Sequence, residues 1–123
     1  MRYLTDRKRA VGKGASGTGT EHHWFMQVSA VALAFMVPTF IFIFGRALGK
    51  GHDEVIATFQ HPFVAILTGL VILISMQHFA KGATMMIEDY LRGSKRKAAV
   101  MTAISLSYAI TAVGLFALAK IAL

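Results

Sequence analysis

Three long apolar runs, separated by charged or glycine-rich stretches, set the pattern of this 123-residue chain. They cover about Phe25–Phe44, Pro62–Leu91 and Ala98–Ala119. Their apolar residues fill whole segments rather than one stripe, the pattern of helices surrounded by lipid. An α-helix rises 1.5 Å per residue and a bilayer core is ~30 Å thick, so each run is long enough to cross it. The predicted fold is all-α and integral to the membrane, with three transmembrane helices. Pro38 lies inside the first run and predicts a kink there. Pro62 suits the start of the second. At ~45 Å that helix is longer than the core, so its acidic-aromatic end, Glu88-Asp89-Tyr90, should protrude. In the third run Ala103, Ser107 and Thr111 recur every four residues, which permits close helix approach.

The segments between the runs divide the chain into an arm, residues 1–19, and a three-span membrane anchor domain, residues 20–123. The arm is polar and rich in Gly, Ser and Thr, with Arg2, Arg7, Lys8, Arg9 and Lys13 against Asp6. It is longer than a secretory leader's polar region, and no small-x-small site follows the first run, so it reads as a surface arm. Thr20 is expected to cap the first membrane helix, and Trp24 to sit in an interfacial belt. Residues 45–60 read as a glycine-containing loop, and Arg92–Lys97 as a short basic turn. Counting Lys and Arg gives five in the arm and four in the basic turn, against two in the first loop and one at the C-terminus. The excess predicts the N-terminus and the 92–97 turn on the cytoplasmic side and the C-terminus on the periplasmic side.

Composition agrees with a membrane protein. Charged residues are 15% of the chain, against the ~25% usual in soluble domains. The net charge of +7 is clustered beside the spans, where it serves orientation and contact with anionic lipid rather than nucleic acid. There is no cysteine, which excludes disulfides, thiolate metal sites and cysteine nucleophiles.

The candidate chemistry lies on the second helix. At ~100° per residue, His78, Gly82, Met85 and Asp89 fall on one face, with Lys81 beside it. An ionisable residue in a span is costly and marks function or a specific partner. For His78 three roles are open: axial ligation of a haem iron, a hydrogen bond to a neighbouring helix, or proton relay. Gly82, one turn on, would leave a gap for a porphyrin edge. A single deep histidine supplies one axial ligand, so a six-coordinate haem needs a second histidine from another chain. Lys81 either snorkels inward or meets a haem propionate. His22 or His23 could touch a propionate or anchor the interface. Asp89 and Tyr90 read either as a charged helix end with a belt aromatic or as a quinone site, in which the phenol donates to a quinone carbonyl beside a carboxylate.

His78, Gly82 and Asp89-Tyr90 give H-x3-G-x6-D-Y on the second of three spans, after an arm ending Gly19-Thr20-Glu21-His22-His23-Trp24. This resembles the smaller hydrophobic membrane anchor of succinate dehydrogenase (respiratory complex II), in its alphaproteobacterial or mitochondrial form. The likeness runs from about Gly14 to the C-terminus. It implies a helix bundle shared with the second membrane anchor of that complex, with His78 and a histidine of that second anchor as the axial ligands of haem b. It implies that Tyr90 hydrogen-bonds ubiquinone with Asp89 in the same site, and that the iron–sulfur and flavoprotein subunits dock on the inner face. Electrons from succinate would then reach ubiquinone through flavin and iron–sulfur clusters. One position departs from the family: Gln27 stands where arginine is often found before Val-Ser/Thr-Ala, near the propionates. Gln27 can hydrogen-bond there but carries no charge, and Lys81 or a partner chain could substitute. Two other expectations remain in view: an anchor of a quinol:fumarate reductase, and a haem-free structural or assembly protein in which His78 only joins helices.

Overall fold

The computed structural model describes residues 3–12, 14 and 19–123. Among these the elements are α1 (Asp6–Val11), α2 (Gly19–Ala47), α3 (His52–Gln60), α4 (Pro62–Tyr90) and α5 (Gly93–Ala122). The protein is an all-α integral membrane protein. Helices α2, α4 and α5 are each long and apolar enough to span a bilayer. Only helices close every backbone hydrogen bond within one segment, which a lipid-exposed span requires.

Little of the side-chain surface is buried in the single chain. Ala47, Val64 and Leu67 are the buried hydrophobic residues, and Ser29, Thr68 and Ser107 the buried polar ones. Large side chains such as Phe35, Phe42, Val113 and Phe116 point outward. In water such a molecule would expose far more apolar surface than a soluble monomer does. Lipid or another protein chain must cover it.

The helix contacts are made by small residues, because lipid gives no hydrophobic drive for helices to associate and close van der Waals packing must do so. Between α4 and α5, Ile72 crosses Gly114, where an added methyl would lie 3.3 Å from the Ile72 side chain. Gly69 in turn accommodates Leu115 and Leu118. Ser107 is buried with Ala103 and Thr111 half-buried on the same stripe, so the four-residue repeat does face a neighbour. The hydroxyls of Thr68, Ser107 and Thr111 each donate to the carbonyl four residues back (2.7, 2.8 and 2.7 Å), which satisfies them within their own helices.

The structure differs from the sequence reading at the segment ends. The first membrane helix starts at Gly19, not near Phe25, so Thr20 lies in its first turn rather than capping it. At its other end, Gly49 adopts φ +78 and turns the chain. The second half of the expected 45–60 loop is the helix α3. Asp53 and Glu54 sit in its first turn, where the positive end of the helix dipole favours them. Val55, Ile56 and Phe59 turn inward and border, with Ile72, Gly114 and Ile121, an apolar cavity of about 250 Å³. Of the expected basic turn, Lys95, Arg96 and Lys97 belong to the start of α5. Within the arm, Thr5 Oγ1 accepts the Lys8 backbone N–H (3.2 Å) and starts α1. Arg2 and Lys13, two of the arm's five cations, lie outside the described residues.

Candidate functional site

Helices α2 and α4 run antiparallel and meet along a short ladder of side chains. At its deepest rung, Ser29 Oγ of α2 lies 2.8 Å from His78 Nδ1 of α4. Ser29 also lies 2.6 Å from the Phe25 carbonyl and 3.2 Å from that of Met26. Next toward the basic end, a methyl on Gly82 would stand 3.6 Å from Met26 Cε, so the missing side chain makes room for α2. Beside it Lys81 Nζ lies 4.2 Å from the centre of the Phe25 ring, a cation–π contact of roughly 0.5–2 kcal/mol. The last rung joins His22 Nε2 and Met85 Sδ at 3.0 Å. A thioether only accepts, so the imidazole N–H donates.

The ladder follows from spacing. His22, Phe25, Met26 and Ser29 form an i, i+3, i+4, i+7 stripe on α2, and His78, Lys81, Gly82 and Met85 form the same stripe on α4. Three of the four residues expected on one face of the second helix, His78, Gly82 and Met85, therefore do face α2. Asp89 lies beyond the contact and is exposed. Gln27 is two residues from Ser29, ~200° around the helix, and turned away from α4. Within this chain it is not brought to the face that carries His78 and Lys81.

His78 is half-buried, and its two ring nitrogens differ. Nδ1 is engaged by Ser29. Nε2 has no hydrogen-bond partner among the described residues, yet no buried side-chain nitrogen there lacks one, so Nε2 opens onto the outside of the chain. Lys81 forms no ion pair among the described residues, where the two pairs are Lys50–Glu54 and His52–Asp53. A half-buried cation with only an aromatic face beside it is an anion-attracting group. No cluster of three or more His, Asp or Glu able to hold a metal occurs among the described residues. His78 could only be one ligand of a group whose other ligands come from elsewhere.

The far end of α4 is different. Tyr90 is its last residue, 82% exposed. It lies ~18 Å along the axis from His78. Glu88 and Asp89 occupy a C-terminus, and Lys95, Arg96 and Lys97 an N-terminus, so each cluster opposes its own helix dipole. Across the turn the two clusters offset one another. Glu88, Arg96 and Lys97 share a surface cavity of about 260 Å³ with Val100 and Met101. The abrupt acidic-to-basic change in sequence is thus one mixed-charge rim around an exposed phenol.

Residues 1–121 match the family described as succinate dehydrogenase/fumarate reductase transmembrane subunit. The chain belongs to that family. It is 43% identical to the succinate dehydrogenase hydrophobic membrane anchor subunit of Paracoccus denitrificans, over 100% of this chain and 95% of the relative. No solved structure matches.

For a transmembrane member of this family, the residue that sequence reasoning passed over is Ser29. It entered only as part of a Val-Ser-Ala marker. It is one of the most buried side chains, at 5% exposure, and the sole hydrogen-bonding partner of His78 among the described residues. Its signal was a lone hydroxyl in an apolar run, at a depth matching that of His78 on the antiparallel neighbour.

Proposed function

We propose that this protein is the membrane anchor of a succinate:ubiquinone oxidoreductase. It would tether the flavoprotein and iron–sulfur subunits, hold one side of a haem b, and form part of the ubiquinone site. Beyond family membership, the observation that carries this reading is His78, with Nδ1 occupied by Ser29 and Nε2 facing out of the chain. That arrangement fits an axial ligand whose opposite ligand belongs to another protein chain. A histidine serving only to join helices would gain nothing from an outward-facing second nitrogen at mid-membrane.

Haem b, when bound, supplies a one-electron centre inside the membrane. This chain's own residues do the rest. His78 Nε2 provides one axial bond, and Ser29 fixes the ring plane. Lys81 and the interfacial His22 lie toward the rim, where propionates would need positive or donating partners. Gly82 lets α2 and α4 approach closely enough for these groups to converge. At the rim, the Tyr90 hydroxyl donates to a ubiquinone carbonyl, and Asp89 is the nearby proton-active group. Gln27, pointing away from this face, would have to reach a propionate across the boundary with the second anchor.

The cations of the arm and of the start of α5 favour the Tyr90 end on the cytoplasmic side and the α3 end on the periplasmic side. The chain lacks cysteine, so single introduced thiols report topology without background from this chain. In sealed right-side-out vesicles, Asp53→Cys is expected to react with a membrane-impermeant maleimide, and Ser94→Cys only after permeabilisation. The reverse pattern would overturn the orientation.

The family includes both succinate dehydrogenases and fumarate reductases, so direction needs its own test. The purified complex is expected to reduce ubiquinone with succinate and to show a b-type reduced-minus-oxidised spectrum. Rapid fumarate reduction by a low-potential quinol, with negligible forward turnover, would instead make it an anchor of a quinol:fumarate reductase. A complex without b-type haem would favour the purely structural role.

A further inference from the structure

Ser29 sits between two acceptors and has one proton. Its oxygen lies 2.6 Å from the Phe25 carbonyl and 2.8 Å from His78 Nδ1. If the hydroxyl donated to Nδ1, its lone pairs would face the carbonyl oxygen at 2.6 Å, an uncompensated repulsion. If it donates to the carbonyl, every contact is satisfied: O–H to Phe25, and His78 Nδ1–H to Ser29 Oγ. The second arrangement is the one that Thr68, Thr84, Ser107 and Thr111 adopt in their own helices, each hydroxyl donating to the carbonyl four residues back.

We infer that Ser29 is a positioning residue for the haem ligand: its hydroxyl holds His78 in the Nδ1–H tautomer, with Nε2 unprotonated and directed out of the chain. This deepens the haem-anchor reading and rests on it. A neutral imidazole carries one N–H, and its hydrogen-bond acceptor decides which nitrogen keeps it. A hydroxyl already donating to a carbonyl is polarised and accepts more strongly. An accepted Nδ1–H makes the ring a more basic ligand, which favours ferric over ferrous iron. Ser29 therefore sets three properties together: the free nitrogen, the ring orientation and the iron's redox balance.

The test compares Ser29→Ala, Ser29→Thr and the unaltered complex, each purified with its partner chains. The readouts are haem content per flavin, the haem midpoint potential, and the low-spin ferric EPR g-values. In Ser29→Ala the ferric–ferrous balance is expected to shift about tenfold toward ferrous, the effect of losing one hydrogen bond, which is ~59 mV upward for a one-electron couple. The g-values should change as the ring loses its fixed orientation. Ser29→Thr keeps the oxygen and is expected to restore both. Haem loss from an otherwise assembled Ser29→Ala complex, reversed by threonine, would equally support the assignment. Unchanged potential and g-values in a haem-replete Ser29→Ala complex would overturn it while leaving the haem reading intact. Absence of b-type haem from the unaltered complex would instead remove the reading on which it rests.

Discussion

Replacing His78 with alanine is expected to weaken haem retention by more than ~100-fold while the complex still assembles. Residues that merely orient a ligand typically cost ~10–100-fold in metal affinity, so the ligand itself should cost more. The fold should survive for a local reason. Removing the imidazole leaves no orphaned donor on α2, because the Ser29 hydroxyl still has the Phe25 carbonyl 2.6 Å away. The other rungs of the ladder, Met26 against Gly82, Phe25 under Lys81 and His22 with Met85, remain. If His78 served only to join helices, its loss would remove one interhelical hydrogen bond, ~0.6–2 kcal/mol in a membrane. The b-type spectrum would then stay at full amplitude. Haem content per flavin and the reduced-minus-oxidised difference spectrum separate the two outcomes. A full spectrum in His78→Ala sinks the ligand assignment.

What the sequence conveyed, and what it hid, follows the range of the interactions. Spans are legible because membrane insertion reads hydrophobicity summed over about twenty residues, with no knowledge of neighbours. The reactive face of α4 is legible because helix geometry alone places His78, Gly82 and Met85 together. The start of α2 was misplaced because Gly19 and Thr20 are weak helix formers with no local signal for continuing. The contact of His22 with Met85, 63 residues away, helps to hold that first turn. α3 was read as loop because its inward residues, Val55, Ile56 and Phe59, are too few to show a period. Their facing surface comes from α4 and α5. Ser29 was hidden for the same reason: a serine in an apolar helix looks like any small packing residue until the partner 49 positions away is known. Gly82 shows the opposite error. Its gap was read as space for a ligand, whereas the nearest occupant within the chain is Met26.

At the other end of α4, Tyr90→Phe is expected to lower kcat/KM for succinate:ubiquinone reduction by roughly 10–100-fold. That is the fold-change for losing a ~1.5–3 kcal/mol hydrogen bond made as charge develops on a quinone carbonyl. Succinate oxidation by a water-soluble artificial acceptor should be unchanged, since that route never reaches the membrane rim. The substitution is informative because of where Tyr90 sits. It is 82% exposed, and its hydroxyl has no partner among the described residues, so its removal disturbs no contact within the chain. Phenylalanine keeps the aromatic body that an interfacial belt requires. A belt role therefore predicts no change in either assay, and a docking role for the other subunits predicts equal loss in both. Only a phenol donating to quinone predicts loss in one assay alone. Asp89→Asn extends the argument. It removes a carboxylate that is unfavourable at a helix C-terminus, by ~0.3–1 kcal/mol, so on stability grounds it should be neutral or slightly favourable. If quinone reduction nevertheless slows while artificial-acceptor activity holds, the acid is retained for proton delivery rather than for the fold. Parallel decline of both activities in Tyr90→Phe would move the quinone away from this helix end.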